Sequence, residues 1–187
     1  MGVERRVAAL LTPYKPMMQY EQLRWWLLPA CVVHNFEEWL MWSRCWPACF
    51  EVIGGVVPAA QFLIGEQSWG NVAKGLLLAT IASVGVIVFG AAGHRSRFKD
   101  WCIFWLVSVY LANVFFPHVI LSIDSVSYTP GVVTAVTLVL PLGVAICQAG
   151  WRECRLSVGM MVGAMAAGVL SLPLVIQVVF LLVGFVL

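Results

Sequence analysis

Residues 76–93 read LLLATIASVGVIVFGAAG, eighteen consecutive positions without a charged side chain. A bilayer core of about 30 Å needs about 20 largely apolar residues in a helix. This run, taken as 71–93, is therefore expected to span a membrane, and the rest of the chain repeats the pattern. Apolar segments at 24–43, 100–123, 130–150 and 158–187 bring the expected number of spans to five. Pro130 suits the first turn of the fourth. The last holds Pro173 and reads as one long kinked helix, with a re-entrant pair as the second choice. Composition agrees. The 187 residues are 61% hydrophobic and 11% charged, with a mean hydropathy of +0.92. An ordinary soluble domain is roughly 45–50% apolar and about 25% charged, and a soluble fold of this size lacks the interior to hide the excess. A soluble globular protein, a disordered chain and a nucleic-acid binder are thereby excluded. The expected fold class is all-α: a polytopic transmembrane helical bundle, one integral-membrane domain over 1–187.

Lys and Arg set the expected orientation. Arg5, Arg6, Lys15 and Arg24 precede or open the first span, Arg95, Arg97 and Lys99 lie between the second and third, and Arg152 and Arg155 lie between the fourth and fifth. Those are nine of the eleven basic residues, and only Arg44 and Lys74 fall on the other side. The N-terminus is expected in the cytoplasm and the C-terminus outside, in a bacterial cytoplasmic membrane. The first 23 residues read as a cytoplasmic lead-in without a cleavable signal peptide. Segment 44–70, broken by Pro47, Gly54, Gly55, Pro58 and Gly65, is expected to form an interfacial cap or loop on the outer side. Of the six Cys, Cys31, Cys102 and Cys147 sit in apolar runs, where Cys behaves as a small hydrophobe. Cys45 and Cys49, four apart, have the spacing to pair on an oxidising face or to bind a soft metal, but no second pair completes a metal set.

The first span is the least apolar. It contains His34-Asn35-Phe36-Glu37-Glu38. Residues three and four apart share a helix face, so His34 stands one turn from both carboxylates. Each ionisable group near the bilayer centre costs at least about 2.5–3.5 kcal/mol, and two adjacent carboxylates cannot both be charged in a dry site without a cation or a shared proton. They must face the bundle interior. The third span supplies Asn113 and His118 around Pro117, which lacks an N–H and should kink the helix. Tyr128 and Thr134 flank the outer start of the fourth. Depth is consistent with one site: at 1.5 Å per residue Glu37 and Glu38 lie roughly 5–7 Å outward of the first span's midpoint, and His118 lies roughly 10 Å outward of the third's.

HNFEEW at 34–39, then Asn113 with His118, then YTPGVVT at 128–134 (YxPGxxT) occur in an order that resembles the HXXEE family of bacterial polytopic membrane proteins. The resemblance covers about residues 30–150. It supports the choice of site residues and implies no particular reaction.

These residues suggest a membrane-embedded enzyme acting on a hydrophobic, lipid- or isoprenoid-like substrate, which reaches the site from the bilayer. In one version His34, His118 and Glu37 or Glu38 bind a divalent metal, zinc or iron, and the other Glu acts as general base. In a metal-free version the Glu pair shares a proton and works as acid and base, suiting an isomerase, cyclase or hydrolase. Asn113, Tyr128 and Thr134 orient the substrate or stabilise an oxyanion in either. A different class is a divalent-cation or proton binding or transport protein, and a third is a structural subunit that self-associates as a homo-oligomer through the small residues of GMMVGAMAAGVLS at 159–171. His94, among Arg95, Arg97 and Lys99, reads as an ordinary loop residue.

Overall fold

A computed structural model describes residues 19–45, 68–124 and 128–186. Among them are five helices and no strand. They are α1 (Tyr20–Cys45), α2 (Trp69–Ala91), α3 (Arg97–Asp124), α4 (Val132–Arg152) and α5 (Val158–Val186). The last four are long and apolar enough to cross a membrane. The 26 residues of α1 are also long enough, about 39 Å at 1.5 Å per residue, but charged residues interrupt its apolar character. The expected spans differ from these helices by a few residues at their ends. Ser68 and Ser96 fix two of the starts, accepting hydrogen bonds from the N–H groups of Asn71 (3.3 Å) and Lys99 (3.2 Å). The last span is one helix that runs through Pro173, not a re-entrant pair. The expected cap at 44–70, with Cys49, lies almost wholly outside the described residues.

Helix α1 packs against α2 and α4, while α3 packs against α2 and α5. The α3–α5 contact is close because Gly168 has no side chain: a Cβ there would stand 2.5 Å from the Trp105 carbonyl oxygen. Across it Ser108 Oγ donates to the Met165 carbonyl (2.6 Å) and Trp105 Nε1 donates to Ser171 Oγ (3.0 Å). Tyr20, Leu27, Ile87, Phe104, Val107 and Ile146 belong to the main buried core.

Two of the three helices that hold the site are locally unwound. In α3 a π-helical stretch, Val114–Val119, follows Asn113 and contains Pro117. Phe116 takes extended angles (φ −132°, ψ 112°), as steric contact with the proline ring demands of the preceding residue. The Phe116–Pro117 peptide is cis. In α4 a second π stretch, Ala135–Val139, precedes Pro141, which has no N–H to continue the helical ladder.

The basic residues of three different segments meet at one end. Glu21 pairs with Arg24, with Arg95 (2.7 Å) and with Arg155 (3.2 Å). Arg24 also donates to the Gly90 carbonyl at the end of α2 (3.0 Å) and lies 3.9 Å from Asp100. Tyr20 N–H donates to Glu153 Oε1 (2.7 Å), and Arg155 pairs with Glu153 at 2.6 Å. Burial works against the Glu153 charge, but the Tyr20 N–H and the Arg155 guanidinium outweigh it and hold its carboxyl below the ordinary range. The residues that set the expected orientation therefore also clasp the helix ends. Arg24, which opens the first span expected from sequence, is buried within this clasp. Cys45, at the opposite end of α1, is in a disulfide, whereas Cys154 beside the clasp is a free thiol.

Arg24→Ala is expected to lower unfolding stability by about 1–3 kcal/mol, because it leaves the buried Gly90 carbonyl without its donor and takes one of three cations from Glu21. Thermal unfolding in detergent measures it, and an unchanged midpoint would show that the clasp does not hold the bundle.

Candidate functional site

At the other end of the bundle, α1, the π stretch of α3 and the start of α4 bring together all the residues singled out above. His34 and Glu38 are one turn apart on the inward face of α1, and both are buried. His118, 1% exposed, enters from the unwound stretch of α3. Its Nε2 is 2.9 Å from Glu38 Oε1, and His34 Nε2 is 3.6 Å from the same oxygen. The two imidazoles meet edge to face, with centroids 5.0 Å apart. The Asn113 amide nitrogen lies 3.0 Å from His118 Nε2 and 3.4 Å from His34 Nε2. One donor atom from each of His34, Glu38 and His118 falls within 4.8 Å of the other two. His118 Nδ1 is buried and has no hydrogen-bond partner among the described residues.

Glu37 stands apart from this set. Its Oε1 accepts from the Tyr128 hydroxyl, and its Oε2 accepts from Thr134 N–H (2.8 Å) and Thr134 Oγ1 (2.5 Å). Thr134 N–H is free to make this contact because it belongs to the opening turn of α4, where backbone donors have no partner within the helix. Tyr128 is 42% exposed and Glu37 is half-buried, so this pair forms the open side of the site. Tyr128 lies outside the spans. Partial burial and the adjoining Glu37 carboxylate push its hydroxyl upward from the ordinary tyrosine range, so it remains a donor at neutral pH. The sequence left open which of Glu37 and Glu38 joins the two histidines, and the geometry puts Glu38 beside them. Successive helical residues point about 100° apart, and here one carboxylate turns to the two histidines while the other turns to α4.

Sequence reading gave no part in the site to Gly131, Asn35, Thr80, Tyr110, Cys31 or Ser83. Gly131 has a left-handed backbone (φ +86°), and a Cβ on it would lie 2.6 Å from Glu38 Cγ and 2.8 Å from His118 Cε1. The PG pair signals a turn, but nothing in the sequence says what the turn touches. Asn35 donates to Thr80 Oγ1 (2.7 Å), fixing α1 against α2. Tyr110, edge-on to His34 at 6.1 Å, is hydrogen-bonded to Cys31 Sγ and donates to Ser83 Oγ (3.0 Å). Cys31 is thus a hydrogen-bonded group, not merely a small hydrophobe, and the nearly uniform second span carries two polar anchors in Thr80 and Ser83.

No curated protein and no solved structure matches the chain. The motif residues that carry this geometry lie between His34 and Thr134, and the sequence model of one family covers them all. Matching over residues 25–146, it places the chain in the family described as proteins of unknown function with an HXXEE motif.

Proposed function

We propose that this protein is a membrane-embedded enzyme for a hydrophobic substrate, with His34, Glu38 and His118 holding a divalent metal, zinc or iron, in the bacterial cytoplasmic membrane. The observation that carries the reading is the convergence of His34 Nε2, Glu38 Oε1 and His118 Nε2, at 2.9 and 3.6 Å along the two sides that meet at Glu38. Ligands about 2.0–2.1 Å from a tetrahedral ion stand roughly 3.3 Å from one another. Two histidines and one carboxylate leave coordination positions open, as catalytic zinc sites and non-haem iron sites do. The ion supplies Lewis acidity.

The remaining roles follow from placement. Glu37, on the open side, takes or gives the proton once the substrate displaces the Tyr128 hydroxyl. Asn113 and Thr134 orient the substrate's polar group. Charge distribution favours an uncharged substrate over a phosphate-headed one. No Lys or Arg occurs between Lys74 and Arg95 or between Lys99 and Arg152, and the described cations of the clasp lie at the far end of α1. Recognition of phosphate calls on arginine or lysine clamps, whereas this site offers two carboxylates.

Transport is favoured less. Among the described residues the polar series continues inward from His34 to Tyr110, Cys31 and Ser83 and then stops. Beneath it is a void of about 10 Å³ lined by Leu27, Ile87, Leu106, Val139 and Leu142 among others, at the lower limit of the ~10–15 Å³ that one water needs.

Metal analysis of the purified protein tests the reading. Stoichiometric zinc or iron is expected in the wild type and its loss in His118→Ala. Equal trace metal in both would reject the metal centre and leave the metal-free acid–base version. Ion uptake by proteoliposomes that depends on Glu38 would move the protein to the transport class.

A further inference from the structure

The Thr134 hydroxyl has one proton and three neighbours that compete for it. Glu37 Oε2 lies at 2.5 Å, His34 Nδ1 at 2.9 Å and the Gly131 carbonyl at 3.4 Å. A hydroxyl offers a single donor and two acceptor lone pairs, and the short contact to a carboxylate oxygen is the strongest of the three. The proton therefore goes to Glu37. Toward His34 the hydroxyl then acts only as an acceptor, so Nδ1 must carry the hydrogen. In a neutral imidazole the other nitrogen is then a bare lone pair. That nitrogen is Nε2, the atom facing Glu38 and Asn113.

We infer that Glu37, acting through Thr134, sets the tautomer of His34 and aims its Nε2 lone pair into the centre formed with Glu38 and His118. Glu37 is in this respect a positioning residue, and its two oxygens have separate tasks. Oε1 faces Tyr128 on the open side, and Oε2 holds Thr134. A substrate that displaces Tyr128 therefore leaves the hold on His34 intact. Carboxylates often contact metal-binding histidines directly, fixing ring orientation and tautomer. Here a threonine stands between them. Its backbone N–H, bonded to the same Glu37 oxygen, keeps the hydroxyl and the carboxylate in register. The arrangement explains why YxPGxxT places a threonine three residues after the glycine: the turn at Gly131 seats the helix start against His34, and Thr134 then reaches both His34 and Glu37. The consequence for metal affinity rests on the proposed metal centre, but the tautomer does not.

The test uses the full chain, labelled with ¹⁵N-histidine, in lipid nanodiscs. With only three His in the sequence, the His34 signals are assigned by their loss in His34→Ala. In the metal-free wild type, His34 is expected to be protonated at Nδ1 and bare at Nε2. Thr134→Val should lose this preference and bind zinc roughly 10–100-fold more weakly, and Thr134→Ser should restore both. Glu37→Gln, which keeps the size of the side chain, should weaken the preference as well. A wild-type His34 protonated at Nε2, or a Thr134→Val variant that keeps Nδ1–H, overturns the inference whatever the zinc result. A wild type that shows the expected tautomer but binds no zinc keeps the inference and rejects the metal centre.

Discussion

Gly131→Ala is expected to abolish metal binding and to lower stability by several kcal/mol. Two independent effects act at this one position. The backbone is left-handed (φ +86°), which costs an L-residue with a Cβ about 1–2 kcal/mol. The added methyl would also lie 2.6 Å from Glu38 Cγ, 2.8 Å from His118 Cε1 and 3.2 Å from His34 Cε1. Overpacking of this kind typically costs about 1–3 kcal/mol. None of the three atoms is the free tip of a flexible chain. Two are ring carbons of buried imidazoles, and the third is the middle carbon of a buried glutamate. Relief requires moving the same three side chains whose donor atoms converge, so the damage falls on the site first. Metal analysis and thermal unfolding of the variant measure both effects. Gly163→Ala is the control: nothing lies within 4 Å of its added methyl, and it should behave as wild type. A Gly131→Ala protein with wild-type stability and full metal content would show that the turn does not press on the site.

How far the sequence reveals this molecule depends on which interactions leave a trace in residue type. Spans are legible because each must be apolar on its own, as 76–93 shows. Their ends are less so. The chain turns helical at Tyr20, ahead of the expected 24, because Glu21 and Arg24 find partners in other segments of the chain, and that compensation is tertiary. The site is legible because charge within a span demands a reason. His34, Glu37, Glu38, Asn113, His118, Tyr128 and Thr134 stood out for that reason or through the motif, and they lie together. Which of Glu37 and Glu38 faces the histidines was hidden. It depends on the backbone N–H of Thr134, which every non-proline residue possesses and no sequence displays. Gly131 was hidden in a similar way: its role is to leave space, and an unfilled space has no residue type. Thr80 and Ser83 were overlooked because single hydroxyls hardly change the hydropathy of a span.

Glu37→Gln and Glu38→Gln, adjacent and chemically identical changes, are expected to lose activity for different reasons, one with its metal kept and the other with its metal lost. Glu38 Oε1 lies 2.9 and 3.6 Å from the two imidazole Nε2 atoms and is the carboxylate oxygen that faces both. An amide there removes the negative charge that balances a divalent ion and offers a weaker ligand, so metal should be lost on purification and activity with it. Glu37 has no place in the converging set. Glu37→Gln should still purify with metal, its affinity lowered no more than the roughly 10–100-fold typical of a residue that supports a ligand. Its turnover should nevertheless fall about 10²–10⁴-fold, the usual contribution of a positioned acid or base. The measurement pairs metal content with conversion of neutral lipids in a membrane extract, followed by mass spectrometry for each variant. Should Glu37→Gln be the variant that loses metal while Glu38→Gln keeps it, the roles are reversed and the centre lies nearer the open side. If both keep metal and only Glu38→Gln loses turnover, Glu38 is the proton carrier and the metal is held elsewhere. Glu38 is the more buried of the two, so thermal unfolding of both variants separates a folding defect from a lost ligand. With stability matched, a split between metal content and turnover follows the direction in which each carboxylate points.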